Sequence, residues 1–217
     1  MEQFTMTVAR GFGSGGKEIA SRVAKRLGIH CYENRILTLA SQLSGLDEEL
    51  FTEVDEKLST HGGFAAMMRG LPRARGYIAR DKKFVSDDQI FSYETKIIEN
   101  LADTESCVIV GKAADYVLRN HKNVVSVYIE APRAYCVDRT MEHMEVSAEV
   151  AARTIEATDQ YRAEYYKYYT GGNYWTNPIN YDLTLNAERV GGSNACVDVL
   201  LDYLKRKGLI SEEDIRK

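Results

Sequence analysis

The sequence predicts an α/β fold of three layers, α/β/α, around a mainly parallel sheet. Three observations predict it. Short apolar, β-branched runs alternate with helical patterns, a glycine-rich turn at residues 11–17 joins the first run to the first helix, and 217 residues suit one core with appendages. The first run, residues 4–9 (FTMTVA), reads as a strand. The helix that follows begins at Lys17; Ile19, Val23, Ala24 and Leu27 form one apolar face, Lys25 and Arg26 stay polar, and Gly28 supplies the stop. A short strand over 29–32 and a helix over 35–43, carried by Ile36, Leu37, Leu39, Ala40 and Leu43, come next. Residues 47–80 hold no strand pattern and are broken at His61-Gly62-Gly63 and Gly70-Leu71-Pro72, which predicts a helical insertion able to move over a ligand. A helix over 88–102 leads to the strand 107–110 (CVIV), and 124–129 (VVSVYI) makes the next strand. Pro132 opens a helix through 144, Ser147 caps a long helix to 169, residues 183–185 form the last strand and 195–207 the last helix. Strands alternating with helices imply parallel pairing with helices on both faces.

Bulk properties narrow the function classes. The hydrophobic fraction of 44% and charged fraction of 28% are those of a globular protein. A net charge of -4 and a pI near 5.7 argue against broad nucleic-acid binding, which rests on cationic neutralisation of many phosphates. No apolar run reaches the ~18–20 residues needed to span a bilayer, and the N-terminus lacks a basic segment followed by an apolar one, so no membrane partner and a cytoplasmic location are expected. Cys31, Cys107, Cys136 and Cys196 are scattered, and His30, His61, His121 and His143 form no i, i+4 pair. Reduced, structural cysteines are expected, with no protein-built histidine or cysteine metal site.

Residues 11–17, GFGSGGK, satisfy the first seven positions of the phosphate-loop pattern G-x-x-x-x-G-K, in the strand-to-helix context that pattern requires. Glycines let backbone N–H groups turn toward phosphate oxygens, the helix N-terminus adds partial positive charge, and the lysine adds a mobile cation. Gly11, Gly13, Ser14, Gly15, Gly16, Lys17 and Glu18 are the expected nucleotide-binding residues, so the fold class sharpens to that of a P-loop NTPase. The eighth position departs from the pattern. Glu18 stands where a serine or threonine normally supplies a hydroxyl to magnesium, and Ile19 follows. Either magnesium is held by Ser14, an acidic residue elsewhere and water, or the site binds nucleotide without efficient transfer; the acid also suits a helix dipole.

On the long helix, Glu156, Asp159 and Arg162 share one side, a spacing that lets a carboxylate orient a guanidinium toward a phosphate. Arg139 and Arg153 add two further cations to the same stretch of chain. Tyr161, Tyr165 and Tyr168 recur at helical spacing beside Tyr169, Tyr174 and Trp175, which predicts packing against a core or a second subunit, a homodimer among the options, ahead of base stacking.

Residues 11–20 (GFGSGGKEIA), 108–115 (VIVGKAAD), 165–171 (YYKYYTG) and 180–186 (NYDLTLN) together resemble the cytidylate kinase-like family, over nearly the whole chain. The resemblance implies the fold of nucleoside monophosphate kinases, with a monophosphate-binding insertion and an arginine-bearing lid, for which residues about 139–175, with Arg139, Arg153, Glu156, Asp159 and Arg162, are the candidate. The family tends to carry a basic residue and then glutamate where Lys17 and Glu18 stand. In cytidylate kinases proper an acidic residue after the first helix, an arginine after the glycine of the central strand and an Asp-x-x-Arg lid contact the nucleotides. Glu33 fills the first place, Lys112 stands for the arginine without its bidentate fork, and Asp115 follows one helical turn on.

The expectation is a single domain over 1–217 that moves the γ-phosphoryl of ATP, with Mg2+, to a small acceptor such as CMP. Lys17, Arg139, Arg153 and Arg162 are the expected catalytic cations. Glu33, Arg35, Lys112, Asp115, Asp159 and Asp182 are the expected acceptor-side residues. Two alternatives stay open: a nucleotide-binding module without turnover, and a P-loop kinase for a non-nucleotide acceptor.

Overall fold

A computed structural model describes residues 1–33, 35–45 and 87–216, and the helical insertion expected over 47–80 lies outside the described residues. Strand β1 (Thr5–Arg10) runs into helix α1 (Gly16–Leu27), followed by β2 (His30–Tyr32) and α2 (Arg35–Ser44). The chain resumes with α3 (Asp87–Thr104), β3 (Cys107–Val110), the short α4 (Ala114–Val117), β4 (Val124–Glu130), α5 (Arg133–Met144) and α6 (Ala148–Tyr169). It ends with β5 (Leu183–Asn186), α7 (Ala187–Val190) and α8 (Ser193–Arg206). Helix boundaries follow the chemistry of the termini. Gly28 closes α1 in the left-handed region at φ 66° and donates to the carbonyls of Ala24 and Lys25, while the Ser147 hydroxyl accepts from the Val150 amide at 3.4 Å to start α6.

The five strands are ordered β2-β3-β1-β4-β5 and every pairing is parallel. Strand alternation divides the core in two. Phe4, Met6, Val8, Val108, Val110, Val125, Val127 and Ile129 face α1 and α8, where they meet Ile19, Val23, Leu200 and Leu204. Cys107 and Ile109 face the opposite way, onto Ile36 of α2, Ile98 of α3 and Leu118. Each such fully buried side chain contributes roughly 1.5–3 kcal/mol relative to exposure, so these two faces anchor the architecture.

The chain winds outward from β1 in both directions, toward β3 and β2 on one side and β4 and β5 on the other. A crevice therefore opens at the carboxyl end of β1, the place where α/β sheets bind ligands. The aromatic stripe of α6 packs mainly within the chain: Tyr165 and Tyr166 are buried with Trp175, Tyr181 and Tyr128, and Phe91 of α3 stacks on Tyr169 at 3.9 Å between centroids. Tyr168 and Tyr174 stay exposed. The four cysteines are free thiols, and among the described residues no helix is long and apolar enough to cross a membrane.

Candidate active site

The glycine turn begins where β1 ends. Gly11 donates to the Ile129 carbonyl of β4 at 3.0 Å, and Gly13 and Gly15 take positive φ of 79° and 87°. Gly13 needs glycine for a second reason, since a Cβ there would lie 2.6 Å from the Cys136 carbonyl oxygen, and Gly15 is the left-handed residue that starts α1. The Ser14 hydroxyl is buried and donates to the Gly11 carbonyl at 2.8 Å, and the Gly16 amide donates to Ser14 Oγ at 3.3 Å. Ser14 thus braces the turn from inside. The first-turn amides of α1 have no intrahelical partner, and together with the loop they line a cavity of about 580 Å³ with Lys17, Glu18, Arg22, Arg139, Thr140 and Arg162.

A second cavity of about 210 Å³ opens beside it, lined by Val110, Gly111, Lys112, Asp115, Tyr161, Tyr165, Tyr166 and Trp175. Arg10, Glu33 and Arg162 line both cavities. Strand ends deliver the first two of these. Arg10 is the last residue of β1 and its guanidinium donates to Glu33 Oε1 at 3.3 Å, just beyond β2. Lys17 Nζ reaches Glu33 Oε2 at 2.5 Å, so one carboxylate bridges the two cations. Helix α6 delivers the third. Arg162 donates to the Arg10 carbonyl at 3.0 Å and to Asp159 Oδ1 at 3.2 Å, and the same Asp159 oxygen accepts from the Phe12 amide at 2.8 Å.

Burial governs the electrostatics at this junction. It lowers the Arg10 pKa against the pull of Glu33, and it lowers Arg162 to about 10, with neighbouring Arg10 adding to the effect. It raises Asp159 above the ordinary carboxylate range despite the Phe12 amide and Arg162. Two guanidiniums side by side in a partly dehydrated crevice make a strong attractor for a doubly charged phosphoryl group.

The remaining expected residues divide sharply. Lys112 takes φ 58°, lines the smaller cavity, pairs with buried Glu94 at 3.2 Å and lies over the Tyr165 ring at 5.7 Å. Asp115 is buried, accepts from the Tyr166 hydroxyl at 2.6 Å and titrates at about 6, with desolvation the main cause. Arg139 approaches the loop and pairs with Glu18. Three others stand apart. Arg153 is 63% exposed, pairs with Glu149 one helical turn away, and lines neither cavity. Arg35 is exposed and lies over the Tyr32 ring at 5.9 Å, outside both cavities. Asp182 sits toward the amino ends of the strands, away from the loop; its carboxylate accepts from the Ser126 amide at 2.8 Å while its own amide donates back to Ser126, a clamp between β4 and β5. Arg10, Glu94 and Thr140 escaped the sequence reading. For Arg10 the signal was present, an arginine abutting the glycine turn; for Glu94 and Thr140 only the packing of α3 and α5 brings them in.

The magnesium position of a phosphate loop fits these residues poorly. Glu18 holds Arg22 on Oε1 at 2.5 Å and Arg139 on Oε2 at 2.7 Å, with the Ser193 hydroxyl donating to Oε2 at 3.3 Å. Although desolvation acts upward, those guanidiniums keep its pKa below the ordinary value. The Ser14 hydroxyl is committed within the turn, and among the described residues no group of three or more His, Cys, Asp or Glu side chains gathers to hold a metal.

The sequence model of the cytidylate kinase-like family matches residues 5–189. A comparison with curated proteins found no match. Among solved structures, an uncharacterized protein from Eubacterium ventriosum is similar with a TM-score of 0.65 at 20% identity, covering 94% of this chain and 99% of that one. The TT1252 protein from Thermus thermophilus follows at TM-score 0.51 and 13% identity, over 95% and 98% of the two chains. A shikimate kinase from Bacteroides thetaiotaomicron is similar at TM-score 0.50 and 12% identity, over 93% and 98%. At such identities the likeness is one of fold, and the fold is that of P-loop kinases.

Proposed function

Because the chain belongs to the cytidylate kinase-like family, we propose that it transfers the γ-phosphoryl of ATP to a small acceptor, a nucleoside monophosphate such as CMP. One observation carries the reading: a larger cavity lined by the phosphate loop and a smaller one lined by aromatic and charged groups share Arg10, Glu33 and Arg162. Donor phosphates lie on the loop amides and Lys17. Arg10 and Arg162 face the phosphoryl group in passage, where positioned cations offset developing charge and little covalent chemistry falls to the protein. Lys112 addresses the acceptor's anionic group, and Tyr161, Tyr165 and Trp175 supply flat apolar walls for a base. Asp159 orients Arg162 and the loop together. A phosphate acceptor is already anionic, so no general base is assigned. Magnesium bound to ATP would lessen the charge on the triphosphate, and no residue of the loop is assigned to it.

The test is a coupled assay of ADP release with ATP, magnesium and a panel of nucleoside monophosphates, on the parent and on Lys17→Ala. Turnover with CMP or UMP that falls at least about a hundredfold in the variant is expected, since the ammonium meets charge that builds up during transfer. Silence across the panel, with ATP binding intact, would sink the monophosphate acceptor and leave a non-nucleotide acceptor or a binding module.

A further inference from the structure

Resting on the larger cavity as the donor-phosphate groove, we propose that Glu18 is a positioning residue that holds Arg139 against the loop. The pair replaces the loop's magnesium site, so the groove binds metal-free triphosphate about as tightly as its magnesium complex.

The position after the loop lysine faces the groove, and a bare carboxylate there would repel polyphosphate. Here it does not stand bare. Arg22 and Arg139 occupy its two oxygens at 2.5 and 2.7 Å, so one negative and two positive groups leave a surplus of positive charge at the mouth of the loop. A metal ion could use Glu18 only by breaking an ion pair, which makes the residue a poor ligand for a hard cation.

Arg139 is well placed to act instead. Its terminal nitrogen would lie 3.4 Å from a Cβ on Gly15, so the guanidinium rests on the glycine that starts α1. Glu18 and the Tyr135 ring, 5.7 Å from the guanidinium carbon, fix it from two sides. Its Nε is buried without a hydrogen-bond partner, and so is Oγ1 of the next residue, Thr140, which would lie 2.9 Å from a Cβ on Gly13. The Arg139 guanidinium thus stands beside Gly15 and the Thr140 hydroxyl beside Gly13, each side chain with one unsatisfied buried polar atom. A guanidinium held in this way keeps N–H donors beyond the one given to Glu18, and these can meet a phosphate oxygen with no intervening metal.

The experiment is calorimetric titration of the full chain with ATP and with inorganic tripolyphosphate, in excess magnesium and in EDTA. The parent, Glu18→Ser and Arg139→Met are compared, and thermal melting checks each fold. The parent Kd is expected to differ by less than about threefold between the two buffers, against tenfold or more for Glu18→Ser, whose hydroxyl restores a metal ligand and frees Arg139. Arg139→Met is expected to lose about tenfold in EDTA and less in magnesium. A parent that needs magnesium by more than about tenfold would overturn the proposal while leaving the groove reading intact. So would variants that weaken both Kd values equally, the mark of a tie between α1 and α5 and nothing more. Should Glu18→Ser fail to fold, the ratio in Arg139→Met carries the same decision. Absence of binding in both buffers removes the groove reading, and the proposal with it.

Discussion

Arg10 and Asp115 show how much a single position gains from its surroundings. Arg10 sits at the end of an apolar strand, and burial beside Arg162, with Glu33 bridging Arg10 to Lys17, turns it into half of a cationic junction. Asp115 is expected from the sequence on the acceptor side; folded, it is buried, accepts from the Tyr166 hydroxyl, and its pKa rises to about 6. That raised value has a definite sign. The folded state holds the proton more tightly than the unfolded chain, so the stabilisation is complete below about pH 4 and is lost as the pH climbs through 6. A shift of this size corresponds to about 3 kcal/mol. Asp115→Asn, which never ionises, should therefore gain on the parent by about that much between pH 4 and pH 7.5, read by urea unfolding at both ends. An equal difference at the two pH values would show that the carboxyl is not buried as described.

Helix α6 is the element on which the site depends. Its 22 residues reach four neighbours: Asp159 and Arg162 hold the loop and β1, Tyr165 bonds Glu94 of α3 at 2.8 Å, and Tyr166 bonds Asp115 of α4. The Glu156, Asp159, Arg162 spacing was legible as a helix side, and Asp159 does orient Arg162. What the spacing did not reveal is that Asp159 also holds the Phe12 amide, so the helix positions the loop backbone as well as its own arginine. Asp159→Ala should lower kcat/KM about 10–100-fold by loosening both, with a stability loss of about 1–3 kcal/mol. Unchanged kinetics with the same loss of stability would confine Asp159 to a structural part. Arg153 belongs to the same helix but lies on its solvent side, where pairing with Glu149 adds little.

At the scale of the molecule, ligand binding and folding are linked through the crevice, because loop, strand ends and α6 meet only in the folded chain. ATP at about a hundred times its Kd should add about 2.7 kcal/mol to the unfolding free energy of the parent. Lys17→Ala, altered at a side chain 70% exposed, should melt like the parent without ligand and gain much less with it. An equal gain in both would place ATP elsewhere. The sequence by itself determined the order of strands and helices, the parallel sheet and the phosphate loop. Those depend on local periodicity, capping and backbone freedom, which a short window of residues contains. Only the tertiary structure decided that Arg10 and Glu33 join Arg162 between two cavities, that Arg35, Arg153 and Asp182 stand outside them, and that Glu18 answers to Arg22 and Arg139. Such pairings arise where strand ends and helices far apart in the chain converge, and desolvation, which sets the charge balance there, belongs to no residue until the crevice has formed.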